Sequence, residues 1–96
     1  MVRTLKVLLP VVATLASCGV MAPAASAADP GFCHEYAETA VRQFNAAFAV
    51  PRCRGGMNGP RWSHEFRVHY DWCLGAAYNA VEAERRDRAQ YIYACR

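Results

Sequence analysis

Cys33-His34-Glu35-Tyr36-Ala37-Glu38-Thr39-Ala40-Val41-Arg42-Gln43-Phe44-Asn45-Ala46-Ala47-Phe48 decides the architecture of this chain. Its apolar side chains fall at Cys33, Tyr36 and Ala37, Ala40 and Val41, Phe44, then Ala47 and Phe48. Steps of three and four put them on one face of a helix, whereas a strand would alternate every second residue. The spacing predicts a helix over 32–48, with Glu38 and Arg42 as an i,i+4 ion pair on its outer face. A cysteine near the helix start gives it a place to be tied down.

Three more cysteines follow, Cys53, Cys73 and Cys95, at intervals of 20, 20 and 22 residues. The segments between them are dissimilar, so the regular spacing is not a sequence repeat. None of the intervals is the close C-x-x-C of zinc or redox sites, and the C-x-x-C-H of haem attachment is absent. An even count in a short exported chain reads as two disulfides.

Pro51 and the run Gly55-Gly56 to Gly59-Pro60 read as a loop. Ser63 reads as the N-cap of a second helix, with Phe66, His69, Tyr70 and Cys73 along one stripe and Gly75 near its end. Asn79-Ala80-Val81-Glu82 is a capping-box variant. It opens a third helix that runs to about Cys95, with Val81, Arg85, Arg88, Ile92 and Cys95 near one face. Three antiparallel helices bring Cys33 to Cys73 at one end and Cys53 to Cys95 at the other. A long loop crossing the bundle would also permit Cys33 with Cys95 and Cys53 with Cys73. The expected fold is all-α, a small three-helix domain over 32–96 stapled by two disulfides.

The N-terminal segment carries the address. Arg3 and Lys6 precede an apolar run over 7–16 and then small residues ending in Ala25-Ser26-Ala27, the order of an export signal. Two processing routes overlap. Cleavage after Ala27 removes a signal peptide spanning 1–27 and releases a soluble product. Leu15-Ala16-Ser17-Cys18-Gly19 instead reads as a lipoprotein signal over 1–17, with Cys18 as the lipid attachment site and 18–31 as a flexible tether. The apolar run is too short for a stable transmembrane helix. The expected location is outside the cytoplasm: the periplasm, the outer membrane as a lipoprotein, or the medium.

The formal charge of the whole chain is +3. With Arg3 and Lys6 removed, nine arginines face eight acidic residues, a balance too even for a nucleic-acid binder. All eleven aromatic residues lie after the leader, a dense supply for one small core.

Cys33 to Gln43, Gly59-Pro60-Arg61-Trp62-Ser63 and His69-Tyr70-Asp71-Trp72-Cys73 together resemble a small cysteine-framed module of exported bacterial proteins. Its pattern is C-x-x-Y-A-x-x-A-V-x-Q, then C, G-x-R-W, H-x-x-W-C and a final C. Arg54-Gly55-Gly56-Met57-Asn58 departs from it, since the module has a glycine directly after its second cysteine and a shorter loop. The resemblance implies a cysteine-paired extracytoplasmic domain and supplies no catalytic residue.

Few residues are placed for chemistry. Only Thr39 and Ser63 carry aliphatic hydroxyls after the leader, and Ser63 is explained as a cap rather than a nucleophile. His69 and Cys73 share a helix face, but a paired Cys73 offers no thiolate, so His69 is expected to bond a carbonyl or an acid. Glu82 with Arg86 and Glu84 with Arg88 read as a solvated helix face. Arg61, Trp62 and Trp72 are the candidate binding residues, because aromatic and arginine side chains anchor protein and glycan ligands. The competing expectation is that Trp62 staples the loop to the core, with Arg61 stacked beside it. The functional expectation is a non-enzymatic cell-envelope module that binds an envelope protein or glycan, without metal or cofactor. The alternatives are a structural or stress-related envelope protein and a small secreted inhibitor or effector.

Overall fold

The computed structural model describes residues 26–96, so Cys18 and all of the leader but its last two residues lie outside the described residues. The described chain forms α1 (Pro30–Phe48), α2 (Pro51–Arg54), a single 3₁₀ turn (Pro60–Trp62), α3 (Phe66–Leu74) and α4 (Tyr78–Cys95). The all-α expectation holds, with four helices in place of three.

Helix α1 begins at Pro30, two residues before the predicted start at 32. The Asp29 side chain accepts from the Phe32 amide at 2.8 Å, and Pro30 fills the first helical position, where no amide is needed. The preceding residues are packed. Ala28 is buried and donates its amide to the Ala76 carbonyl at 2.9 Å, and Ala27 pairs with Ala77 in one antiparallel bridge. A flexible tether reaching to residue 31 is therefore too long, because 27–31 belong to the folded unit.

Three local expectations are corrected. Pro51 does not simply open a loop: it starts the turn α2, with Val50 held extended as a residue before proline must be. Ser63 is not the cap of α3. Glu65 holds that position without a side-chain bond, while the Ser63 hydroxyl accepts from the Glu65 amide at 3.0 Å in a local turn. Asn79 lies inside the first turn of α4, whose cap position is Ala77. The start of α4 is tied instead through Tyr78, whose hydroxyl donates to Asp29 Oδ2 at 2.7 Å and accepts from the Asp29 amide at 3.2 Å. One aspartate thus anchors two helix starts.

Cys33–Cys73 joins α1 to α3 and Cys53–Cys95 joins α2 to α4, with Cα separations of 5.5 and 5.2 Å. Each bridge centres a core cluster. Ala28, Tyr36 and Val81 pack around the first, and Ala47, Trp62 and Ile92 around the second. Ala37 and Ala40 are buried on the inner face of α1, where small side chains let the neighbouring helices approach. Helix α1 packs on both α3 and α4.

Between the two clusters lies a polar joint. Gln43 donates its side-chain amide to the Arg85 carbonyl at 3.1 Å, and its Oε1 accepts from Arg88 Nε at 2.7 Å. The amide clamps α1 to α4. The outer-face pair of Glu38 with Arg42 does not form: Arg42 bonds Thr39, and Glu38 lies 3.9 Å from His34.

Candidate functional site

A cavity of about 310 Å³ opens between α3, α4 and the 3₁₀ turn, with Tyr36 of α1 at its base. Helix α3 supplies one wall. Val68 and Trp72 sit one helical turn apart and are both exposed, Trp72 at 44 %, while His69 faces inward beside them. Helix α4 supplies the opposite wall through Glu84 and Arg88, again one turn apart. Pro60 and Arg61 close the rim. Gly59, at φ +81°, makes the turn that places them, a left-handed conformation that favours glycine.

Arg61 and Glu84 form the strongest pair at the site. Arg61 Nε and Nη2 donate to the two Glu84 carboxylate oxygens, each at 2.8 Å, and Nη2 also lies 3.5 Å from Asp87. This fork-on-carboxylate geometry fixes the rim and holds the Glu84 carboxyl below its ordinary pKa. Arg61 therefore pairs with an acid and does not stack on a ring.

Arg88 is the least expected residue of the site. It is fully buried, at 0 % exposure, so the pair it makes with Glu84 is not a solvated helix face. Its guanidinium lies 5.0 Å from the Tyr36 ring centroid, and its Nε bonds Gln43. Among the described residues neither buried terminal nitrogen has a hydrogen-bond partner, and Glu84 Oε1, 3.9 Å from Nη1, makes an ion pair beyond hydrogen-bonding range. Its burial is legible in the α4 pattern, since Arg88 sits seven residues after Val81 and four before Ile92, both buried.

His69 is buried, and its Nε2 lies 2.8 Å from the Ser63 carbonyl. A carbonyl only accepts, so Nε2 carries the proton and donates. Burial pushes the ring's pKa below its usual value, against the opposing effect of that bond, and His69 is neutral near pH 7. Burial also pushes the Tyr36 hydroxyl up, with the Arg88 guanidinium beside it opposing the shift.

The structure divides the three candidate binding residues. Arg61 and Trp72 line the cavity, and Trp72 lies 5.9 Å from Tyr36 between ring centroids. Trp62 does not. It is 6 % exposed, packs in the Cys53–Cys95 cluster and contacts Tyr91 at 5.1 Å. Val68, Glu84 and Arg88 complete the site and were not among the candidates. Among the described residues Ser63 and His64 form no hydrogen-bonded nucleophile–base pair: the Ser63 hydroxyl oxygen accepts from the Glu65 amide, and the His64 ring packs against Phe44. Among the described residues, no group of three His, Cys, Asp or Glu side chains gathers as a metal site. No family model, curated protein or solved structure matches the chain.

Proposed function

We propose that this protein is a non-enzymatic binding module of the bacterial cell envelope, which takes its ligand in the cavity between α3 and α4. The observation that carries the reading is an exposed tryptophan, Trp72, facing a buried and incompletely bonded arginine, Arg88, across a preformed concavity. Apolar walls with a few convergent polar groups are the usual make-up of ligand sites. The partner is an envelope protein or glycan.

The two disulfides are the chemistry of an oxidising, extracytoplasmic compartment. No helix of the described residues is long and apolar enough to cross a membrane. Attachment through lipidated Cys18, or release after Ala27, gives the membrane-linked and the free form of the same domain. Both leave the Asp29 cap of α1 intact, and release after Ala27 removes the Ala27–Ala77 bridge. Membership of the cysteine-framed module is part of the proposal. It is supported by the work that the motif residues do: Cys33 and Cys73 bridge, Tyr36 bases the cavity, Gln43 clamps α4 and Trp72 forms the wall.

The test is retention from an envelope extract on immobilised mature protein, with Trp72→Ala as the comparison. The expected result is a protein or glycan held by the wild type and lost with Trp72→Ala while the variant stays folded. Identical retention by both would remove the cavity from the account and favour a structural envelope role.

A further inference from the structure

We propose that the cavity is a carboxylate site. Arg88 would receive the carboxylate of a small monoacid, and Trp72 with Val68 would hold the acid's apolar body. The proposal rests on the binding reading above and specifies its ligand.

The first support is what Arg88 lacks. Its Nε is used by Gln43 and its ring-facing side by Tyr36, yet among the described residues neither terminal nitrogen has a hydrogen-bond partner. A buried guanidinium whose terminal nitrogens lack hydrogen-bond acceptors is costly, and native proteins satisfy such groups. Among the described residues Glu84 is the only acid on the cavity wall, and both its oxygens already accept from Arg61. It is therefore committed to the rim and stops short of Arg88.

The second support is charge. Two arginines and one glutamate line the cavity, Asp87 lies 3.5 Å from Arg61 at the rim, and burial keeps His69 neutral, so Arg61 is met by two acids while Arg88 has none within hydrogen-bonding range. A carboxylate at Arg88 would supply the hydrogen-bonded acid that Glu84, committed to Arg61, does not. A dianionic phosphate would crowd Glu84. A planar carboxylate also matches the two terminal nitrogens of a guanidinium edge.

The third support is shape. Trp72 and Val68 are exposed apolar side chains on the wall facing Glu84 and Arg88, and about 310 Å³ lies at the small end of ligand cavities. An acid with one aromatic or branched group fits that description, as a free molecule or as the C-terminal residue of a peptide.

The test is titration of the mature, oxidised protein with phenylacetate and with its neutral isostere phenylacetamide, read by calorimetry and by tryptophan fluorescence. The tripeptide Gly-Gly-Phe, with a free and with an amidated C-terminus, separates a peptide end from a free acid. The expected result is a preference of about tenfold or more for phenylacetate over phenylacetamide, with Arg88→Met removing the preference. Trp72→Ala should weaken both probes together. Equal binding of acid and amide, or no binding of either acid at millimolar concentration, would overturn the proposal. The probe comparison uses wild-type protein, so it stands even if Arg88→Met does not fold. Should the acids fail while Trp72→Ala still abolishes retention from envelope extract, the carboxylate assignment falls and the binding reading survives.

Discussion

The two tryptophans separate what holds this domain together from what it presents. Trp62 is buried against Tyr91 and the Cys53–Cys95 bridge, so Trp62→Ala should cost about 3–5 kcal/mol in a denaturant titration. Trp72 is half exposed, and Trp72→Ala should cost well under half of that. A reversed order would place the cavity wall in the core. Gly56 makes a second residue-level test. A methyl there would run into the Tyr91 phenol, whose hydroxyl is held by the Cys53 carbonyl at 2.6 Å and cannot easily move away. Gly56→Ala should destabilise by about 1–3 kcal/mol, and Tyr91→Phe in the same background should recover part of it. His69 adds a pH dependence. Its pKa is lowered in the folded state, so the unfolded chain takes the proton first as pH falls. Stability from this residue is complete above the ordinary histidine value of about 6.5 and is lost as pH drops through the folded value. His69→Gln, with an amide able to donate to Ser63, should flatten the stability profile over that range. At this scale the sequence announced Arg61 and Trp72 through residue type. Type did not reveal depth: Trp62 takes the stapling role that stood as the competing expectation, and the burial of Arg88 was legible only from its place in the Val81 to Ile92 stripe, since an arginine can be buried when glutamine and tyrosine receive it.

Helix periodicity was readable wherever a helix is long. The pattern of α1 located its buried face, and the Val81, Arg88, Ile92 stripe located that of α4. Helix starts were not readable, because side-chain caps are only one way to satisfy the first amides. At Ser63 the hydroxyl went to a local turn, and at Asn79 the start was fixed from a distance by Tyr78 and Asp29. The turn α2 is too short to show a period, and its signal was Pro51 in a role that also fits a loop. Asp29 therefore carries more than its own helix. Asp29→Ala should lower the melting temperature by removing the α1 cap and the α4 tie together, and Tyr78→Phe should remove only the second. If the two variants melt alike, the cap itself contributes little. Asp29→Asn should fall between them, since an asparagine oxygen still accepts from Phe32.

For a domain of this size the disulfides decide whether the core suffices. Each closes a loop of about forty residues, worth about 4 kcal/mol of unfolded-state entropy, the same order as the whole stability of a small domain. Reduction should therefore unfold the protein at ambient temperature, seen as loss of helical circular dichroism. The pairing was narrowed by reasoning about helix ends and left open by the loop after Cys53. The structure closes that question by turning Pro51–Arg54 back towards the end of α4. Everything at the cavity depends on this pairing, because the first bridge sets α3 against α1 and the second sets α4 against the 3₁₀ turn's cluster. Cleavage at arginine separates all four cysteines: Arg42 and Arg52 lie between the first two, Arg54 to Arg67 before the third, and Arg85 to Arg88 before the fourth. The decisive measurement is a tryptic peptide map of the oxidised protein without reduction. The expected result is one linked pair containing Cys33 with Cys73 and another containing Cys53 with Cys95. Linked peptides joining Cys33 to Cys95 and Cys53 to Cys73 would contradict the fold and, with it, the site.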